Sequence, residues 1–325
     1  MNIAIFGGTG FIGSYIVQEL VARQIHTKIF VRQSEERKMI SKSLYSTLVY
    51  GDINENADID KTIDDCGAVI YSIGIIREYE AKGITFTHAH FQLAKQCIDR
   101  AVKACVKRFV LISANGANIN GTAYQSSKYM AEEYLKNSGL EYTIFRPSVV
   151  FGEMPSTFGQ EFCSKLAKDI VGKPFFAPSF FEGFNISQAG EQKLAPIFVE
   201  DVAKVITLCI EESKCVNQAY SLCGEEFTWK QIISLVAKMQ NKTKIFFPVP
   251  AKLAFACCVL LDKFDCFPVT REQLVMLLEG NICSGESEDI CALLGVEKTL
   301  FNEKSLGYLR GSAEVGALLD SGLER

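Results

Sequence analysis

The chain has 325 residues, enough for one large α/β domain or for a nucleotide-binding domain with a smaller second lobe. Its formal net charge is −4 at pH 7, and its lysines and arginines are scattered, which excludes the basic surface that nucleic-acid binding requires. The twelve cysteines include no C-x-x-C pair, and with three histidines and no Cys/His cluster they predict no metal site. We interpret the cysteines as small apolar side chains in a reducing compartment.

Short β-branched runs alternate with helical patterns from residue 2 onward. The predicted strands are IAIF at 3–6, KIFV at 28–31, TLVY at 47–50, AVIYSIG at 68–74, RFVLIS at 108–113 and YTIF at 142–145. The predicted helices span 10–23, 34–43, 90–104 and 123–139. This alternation predicts an α/β fold, a doubly wound parallel sheet of the Rossmann type with helices on both faces.

The regular alternation ends after FRPSVVFG at 145–152. Longer loops, an aromatic-rich stretch and two further helical patterns follow. We therefore predict a Rossmann domain over residues 1–150 and a smaller α/β lobe over 151–325, with some segments of that lobe returning to the sheet. Ligands of such folds bind at the carboxyl ends of the strands.

The glycine stretch GGTGFIG at 7–13 fits two motifs. Gly8, Gly10 and Gly13 match G-x-G-x-x-G, whereas Gly7, Gly10 and Gly13 match G-x-x-G-x-x-G. The stretch follows a strand and opens a helix, where glycines allow a tight turn and close approach of a pyrophosphate to the helix N-terminus. This context predicts a dinucleotide-binding loop and makes residues 1–150 an NAD(P)-binding domain. The helix start, Arg32 and a downstream Tyr-Lys pair favour the second motif.

Arg32 stands at the end of the second strand, where NAD-preferring sites place a carboxylate on the ribose hydroxyls. A guanidinium at this position suits a 2′-phosphate, so we expect NADP(H) to be preferred and NAD(H) to be the alternative. Arg37 and Lys38 either assist Arg32 or belong to a solvated helix face. Asp52 and Ile53 follow the third strand and either meet the adenine or form a plain turn.

A Tyr-x-x-x-Lys pair, Tyr124 and Lys128, lies in the last predicted helix of the first domain. One helical turn separates the two side chains, so they share a face. An ammonium there can hold the nicotinamide ribose and lower the pKa of the phenol for proton transfer. Ser113, at the end of the fifth strand, is placed to orient a substrate oxygen.

These motifs resemble a known family. The glycine loop, the Tyr-Lys pair and RPSVVFG together resemble the extended and atypical short-chain dehydrogenase/reductases, which are related to NAD-dependent epimerases and dehydratases, over most of the chain. Six segments resemble, more narrowly, the branch that contains the nucleotide-binding accessory subunit of respiratory complex I and its bacterial relatives. They are VKRFVLISANGAN, YQSSKYMAEE, RPSVVFGE, PIFVEDVAKVI, FPVPAKLA and VTREQLVMLLEGN.

The resemblance implies roles for individual residues around the dinucleotide. They are Gly7, Gly10 and Gly13 in the phosphate loop; Thr9, Phe11 and Ile12 beside it; Arg32 on the 2′-phosphate; Ser72, Ile73 and Gly74 along the cofactor; Pro147 and Ser148 at the nicotinamide; and Tyr124 and Lys128 as the reductase pair. His90 corresponds to a family histidine that faces the cleft, and a structural histidine is the alternative.

The chain also departs from the family pattern. Extended reductases place the active-site hydroxyl further upstream of the tyrosine, whereas only eleven positions separate Ser113 from Tyr124 here. This spacing puts the full Ser-Tyr-Lys triad in question. Ala195 stands where this branch usually has glutamine.

Two apolar segments each allow two structural interpretations. Phe175, Phe176, Phe180, Phe181 and Phe184 form either an apolar wall for a quinone-like substrate or partner, or ordinary packing of a long loop. The stretch PVPAKLAFACCVLLDKF at 248–264 is either a membrane-surface helix or a core helix. No apolar run reaches the roughly 18 residues of a membrane-spanning helix.

Three functions remain compatible with these observations. The protein holds NADP(H) as a structural cofactor in respiratory or quinone metabolism, or it is an NADPH-dependent reductase or epimerase/dehydratase acting on a small molecule, or it is a dinucleotide-sensing regulator. Expected partners are a small or quinone-like substrate and a respiratory complex or membrane surface, and not nucleic acid. Because a strand begins at residue 2, we expect no targeting segment and a cytoplasmic location, peripheral to the inner membrane, or the matrix side of an organelle.

Overall fold

The structure is a computed structural model that describes residues 1–32, 43–154, 161–174, 176–261, 270–283 and 289–310. Its strands are β1 (Ile3–Phe6), β2 (Thr27–Arg32), β3 (Ser46–Gly51), β4 (Ala68–Tyr71), β5 (Arg108–Ile112), β6 (Glu141–Pro147), β7 (Val150–Phe151), β8 (Phe176–Phe181), β9 (Lys193–Leu194), β10 (Ile197–Phe198), β11 (Gln218–Leu222), β12 (Phe227–Thr228) and β13 (Ile245–Pro250). Its α-helices are α1 (Phe11–Ala22), α2 (Asn56–Ile63), α3 (Leu93–Lys103), α4 (Ala123–Lys136), α5 (Phe162–Leu166), α6 (Val199–Cys209), α7 (Trp229–Met239), α8 (Ala251–Leu261), α9 (Arg271–Glu279) and α10 (Ile290–Leu293).

Seven of the described strands form one parallel sheet in the order β11-β6-β5-β4-β1-β2-β3. The chain moves outward from β1 to β3 and then crosses back to β4 on the other side of β1. This reversal of strand order is the point at which open α/β sheets bind ligands. The predicted doubly wound Rossmann fold is confirmed.

Both faces of this sheet are buried, because successive side chains of a strand point to opposite sides. On one face, Ala4 and Phe6 of β1 join a core cluster with side chains of α2, α3 and α4. On the other face lie Ile3 and Ile5, both fully buried, and helix α1 packs against α6. Burial on both sides explains why the strands read as continuous apolar runs rather than as alternating patterns.

Three local features differ from the sequence prediction. Helix α2 was not expected, since its eight residues bury only Ile59, Thr62 and Ile63. The strand expected to reach residue 74 ends at Tyr71. The α-helix expected from residue 90 begins at Leu93, and it is preceded by a π-helical turn at Thr87–Gln92, in which hydrogen bonds span five residues instead of four. The helix expected over 34–43 lies outside the described residues apart from residue 43.

The chain divides into two compact units. The first contains the seven-stranded sheet and comprises Met1–Pro147, Val199–Leu222 and Cys283–Glu297. The second comprises Ser148–Phe198, Cys223–Ile282 and the described residues from Lys298 onward. Residues after 150 therefore contribute α6 and β11 to the first unit, and β11 is the strand at one edge of its sheet.

The second unit holds three two-stranded sheets and its own apolar core around Trp229. Of the phenylalanines singled out in the sequence, Phe180 and Phe181 are buried, whereas Phe176 and Phe184 are exposed. Phe175 lies outside the described residues.

Helix α8 lies in the segment 248–264, for which the sequence allowed either a membrane-surface helix or a core helix. Ala251 and Cys258 are buried, and Leu253 and Val259 are at least half exposed. Within the described ranges, no helix is both long and apolar enough to cross a bilayer.

The cysteines follow the sequence expectation only in part. Of the eleven cysteines within the described residues, nine are free thiols, most of them buried. Cys223 and Cys283 are in the disulfide form, so the interpretation of the cysteines as reduced apolar side chains is wrong for these two.

Candidate functional site

The glycine loop connects β1 to α1 in a tight turn. The Gly10 amide donates to the Gly7 carbonyl at 3.0 Å, and Gly7 has a φ of +87°, which favours glycine. A Cβ at Gly13 would lie 2.1 Å from the Gly7 carbonyl oxygen, so no larger residue fits without moving the turn. Gly10 is the N-cap of α1, no side chain caps this end, and the first turn carries no acidic residue. The loop therefore leaves the helix N-terminus suited to a phosphate group.

The segment after β4 passes directly beneath this loop. A Cβ at Gly7 would lie 2.7 Å from the Ser72 carbonyl carbon and 2.8 Å from the Ile73 amide nitrogen. Ser72 extends the hydrogen bonding between β4 and β1 by one residue, since its amide donates to the Phe6 carbonyl at 2.8 Å. The structure thus brings together the predicted phosphate loop and the predicted residues Ser72 and Ile73 at the point where the strand order reverses.

The ends of β2 and β3 adjoin one another. Arg32 is the last residue of β2, is exposed, and pairs in register with Gly51. Asp52 Oδ1 accepts hydrogen bonds from both the amide and the side chain of Asn54, which lower the pKa of its carboxyl group. Ile53 is buried in the core cluster. Arg37 and Lys38 lie outside the described residues.

His90 is the centre of a buried hydrogen-bond chain. It lies in the π-helical turn, is 1% exposed, and its Nε2 accepts from the Ile75 amide at 3.0 Å. Its proton must therefore reside on Nδ1, which is 3.0 Å from Ser127 Oγ. The Ser127 hydroxyl in turn donates to the Tyr124 carbonyl at 2.9 Å. Burial and the nearby charge of Lys128 lower the pKa of His90 to about 2, so the ring is neutral.

Lys128 lies close to His90 and to the loop after β4. A Cβ at Gly74 would lie 3.3 Å from Lys128 Nζ and 3.7 Å from His90 Nε2. The ammonium donates to the Ile112 carbonyl at 3.0 Å. Burial lowers the pKa of Lys128 to about 8, while Glu132 acts in the opposite direction. Three of the predicted residues, Gly74, His90 and Lys128, are thus brought together.

Tyr124 lies one turn before Lys128, on the same face of α4. Its ring makes edge-to-face contacts with Phe86 at 5.6 Å and with His90 at 5.1 Å between centroids. The expectation that Lys128 lowers the pKa of this phenol is wrong, because burial raises the pKa of Tyr124 to about 12. In this environment the tyrosine favours its protonated form, which can donate a proton but not accept one.

Ser113 is occupied by a buried ion pair. Its hydroxyl donates to Glu132 Oε1 at 2.5 Å, and Glu132, which is fully buried, pairs with Arg146 on β6 at 2.9 Å. The carboxylate raises the pKa of the Arg146 guanidinium. Ser113 is therefore engaged by Glu132, one helical turn beyond Lys128, instead of being presented as a substrate-orienting hydroxyl.

The remaining predicted residues occupy the loop or adjoin the strand ends. Thr9, Phe11 and Ile12 are partly exposed in the glycine loop and first turn of α1. The Pro147 carbonyl accepts from the Asn115 amide at 2.9 Å, in the first unit. Ser148 belongs to the second unit, where its hydroxyl donates to the Ala195 carbonyl.

Comparison with known proteins agrees with this geometry. A family profile described as NAD(P)H-binding matches residues 7–162, which include the glycine loop and the Tyr124–Lys128 pair. Residues 7–162 therefore form an NAD(P)H-binding domain, and the chain resembles the atypical short-chain dehydrogenase/reductases. The expected resemblance is confirmed.

The chain is similar to proteins with different names. The mitochondrial 40 kDa subunit of NADH-ubiquinone oxidoreductase from Neurospora crassa is 24% identical over 271 residues, which are 82% of this chain and 67% of that protein. The chloroplastic divinyl chlorophyllide a 8-vinyl-reductase of Arabidopsis thaliana is 24% identical over 307 residues, 88% and 69% of the two chains. The structure of a UDP-glucose 4-epimerase from Thermotoga maritima shares the fold, with a TM-score of 0.68, 17% identity, and coverage of 98% and 100%.

Sequence reasoning missed the side chains that hold the site residues in place. Glu132 could have been found, because it continues the i, i+4 series of Tyr124 and Lys128 on one helix face. Arg146 and Ser127 carry no comparable pattern, since their partners are distant in sequence or belong to the backbone.

Proposed function

We propose that this protein holds NADP(H) as a bound cofactor in association with a respiratory, quinone-linked assembly, without sustained hydride transfer. The observation that carries the proposal is the engagement of Ser113 by Glu132. A reductase of this family needs a free hydroxyl beside the tyrosine, and the buried ion pair occupies it. The raised pKa of Tyr124 points in the same direction, because the phenol lacks the activation that the Tyr-Lys pair provides.

The residues of the first unit fit a dinucleotide. Gly7 and Gly13 allow the turn to close tightly before the N-terminus of α1, which no side chain caps, at the reversal of strand order. The bound dinucleotide would supply hydride chemistry, whereas the protein residues bind and orient it. Gly7, Gly10 and Gly13 would hold the pyrophosphate, and Lys128 would donate to the nicotinamide ribose.

The proposed preference for NADP(H) rests on Arg32. The last residue of β2 carries this exposed guanidinium, and the Asp52 carboxylate, just after β3, is engaged by Asn54. A guanidinium pairs well with a phosphate dianion, and charge-assisted hydrogen bonds contribute about 1.5–3 kcal/mol.

Replacing Arg32 with aspartate should weaken NADPH binding by about 10- to 100-fold, from the loss of that contribution, and should strengthen NADH binding. Isothermal titration calorimetry with both nucleotides measures the two changes. Arg23→Ala is the control, since Arg23 lies at the opposite end of α1 and pairs with Glu19. Equal loss of affinity for both nucleotides in Arg32→Asp would contradict the assignment of Arg32 to the 2′-phosphate.

The association with a respiratory assembly is supported by the relatives. Proteins named as subunits of NADH-ubiquinone oxidoreductase match more than four-fifths of this chain in Neurospora crassa and Arabidopsis thaliana. Native electrophoresis of gently solubilised membranes tests this association. The tagged chain should migrate with NADH:quinone oxidoreductase activity, and migration only at its own mass would contradict it.

An active NADPH-dependent reductase is the second candidate. Tyr124 and Lys128 share a helix face, Lys128 lies beside Gly74, and two relatives are named as reductases. The two functions differ in turnover. We expect the purified protein to retain nucleotide, identified by mass spectrometry, and to show no sustained NADPH oxidation with a panel of quinones and carbonyl compounds. Turnover that Tyr124→Phe abolishes would refute the binding role and establish the reductase.

A further inference from the structure

The first unit contains two buried thiols, Cys209 and Cys215, whose sulfur atoms are in direct contact. Cys209 is the last residue of α6, Cys215 lies in a single 3₁₀ turn before β11, and both side chains are fully buried. Their sulfur atoms are 3.0 Å apart. A disulfide needs about 2.05 Å, so a movement of roughly 1 Å would join them.

The backbone of each cysteine is fixed by a different strand of the sheet. The Cys209 carbonyl accepts from Arg108 Nη2 on β5 at 3.0 Å. The Cys215 carbonyl accepts from Thr143 Oγ1 on β6 at 2.8 Å. These anchors hold the two thiols facing each other, which reduces the entropy that ring closure would otherwise cost.

Arg108 is an unusual neighbour for two thiols. Its side chain is 3% exposed, and in the part of the chain that the structure describes its Nε and Nη1 atoms have no hydrogen-bond partner. A buried guanidinium with unused donors is costly unless an anion forms beside it. Burial raises the pKa of the Cys209 thiol, the contact with Cys215 raises it further, and Arg108 acts in the opposite direction with a smaller effect.

We propose that Cys209 and Cys215 are a reversible dithiol–disulfide site, with Arg108 as the cation that stabilises the reacting thiolate. The oxidant is a low-molecular-weight disulfide such as oxidised glutathione. Local opening of the 3₁₀ turn, in which Ser213 and Lys214 are exposed, admits it. The disulfide would fasten the end of α6 to the beginning of the edge strand β11.

The chemistry balances in two exchange steps. The Cys215 thiolate attacks one sulfur of glutathione disulfide and releases one glutathione thiolate. Cys209 Sγ, after losing its proton, attacks Cys215 Sγ, forms the protein disulfide and releases the second glutathione thiolate. The two protein thiols are oxidised, the glutathione disulfide is reduced, and the two protons pass to the released thiolates.

Mass spectrometry of the full chain tests the site. The protein is equilibrated in buffers of increasing oxidised-to-reduced glutathione ratio, quenched in acid, alkylated and digested with trypsin. Cleavage after Lys204, Lys214 and Lys230 separates VITLCIEESK from CVNQAYSLCGEEFTWK, so the disulfide is read as a cross-link between these peptides. The second peptide also contains Cys223, which is itself in the disulfide form, so fragmentation is used to assign the link from Cys209 to Cys215. We expect the cross-link to form, to disappear with dithiothreitol, and to be absent from Cys209→Ser and Cys215→Ser.

The exposed Cys105 is an internal control for access of the oxidant. If Cys105 carries glutathione while the two peptides stay unlinked, the proposal is wrong. The role of Arg108 has its own readout, the rate of cross-linking. Arg108→Met should slow cross-linking by about three- to tenfold, from the smaller thiolate fraction, and Arg108→Lys should restore it. Equal rates in all three proteins would refute the role of Arg108.

Discussion

Replacing Gly13 with alanine should abolish dinucleotide binding. The new Cβ would lie 2.1 Å from the Gly7 carbonyl oxygen and 2.9 Å from the Gly8 Cα, so the turn between β1 and α1 has to open. Opening it breaks the hydrogen bond from the Gly10 amide to Gly7 and moves the helix N-terminus that we propose to bind the phosphates. In the wild type, NADPH at about 100 times its dissociation constant should add roughly 2.7 kcal/mol to the free energy of unfolding. In Gly13→Ala this increment should vanish.

The measurement is the shift in melting temperature between protein with and without NADPH. Gly139→Ala is the matched control, because Gly139 has a φ of +83° and an added methyl group there would meet no atom within 4 Å beyond its chain neighbours, so alanine strains only the local backbone. This control should lose some stability and keep the full shift with NADPH. An unchanged NADPH shift in Gly13→Ala would show that the glycine loop does not hold the dinucleotide.

His90 should make the first unit sensitive to acid. Its pKa in the folded protein is about 2, against about 6.5 for an unperturbed histidine, so the unfolded chain takes up a proton below pH 6.5 that the folded chain cannot. The stability contributed by neutral His90 is therefore present above pH 6.5 and is lost as the pH falls. The loss approaches about 1.4 kcal/mol per pH unit, which gives roughly 2.3 kcal/mol between pH 6.5 and 4.5.

The protonation state of His90 can be read directly by NMR. The chain has three histidines, and His90→Gln identifies the signal of His90. That signal should keep its chemical shift from pH 7.5 to 4.5. Urea unfolding over the same range should show the wild type losing its advantage over His90→Gln as the pH falls, whereas the partly exposed His88→Gln serves as the control. A His90 signal that titrates near pH 6.5 would contradict the buried, neutral ring.

The sheet could be predicted from the sequence because its strands are short apolar runs separated by helical patterns. Both faces of β1 are buried, which makes IAIF recognisable without any partner. Helix α2 could not be predicted in the same way, since only a few of its side chains enter the core. The return of β11 to the edge of the sheet is a long-range pairing with β6, and no local pattern of QAYSL specifies it.

The glycine loop was predictable for a similar reason: its chemistry resides in consecutive residues. The environment of Ser113 was not, because it depends on Glu132 and Arg146, which only the folded chain brings to the strand end. The direction of the pKa shift of Tyr124 could not be predicted from the sequence either, because burial rather than the spacing to Lys128 decides it. Spacing along a helix predicts which side chains are neighbours, and not how much water they retain.

The π-helical turn at Thr87–Gln92 makes the direction of the His90 side chain depend on the number of residues in this turn. A π-helical turn contains one residue more than the α-helical turn it replaces, and each residue of an α-helix adds a rotation of about 100°. Loss of a single residue from this turn would leave α3 in place and swing His90 away from the Ile75 amide and Ser127. Insertions and deletions in this short stretch should thus be rarer among functional descendants of this chain than substitutions.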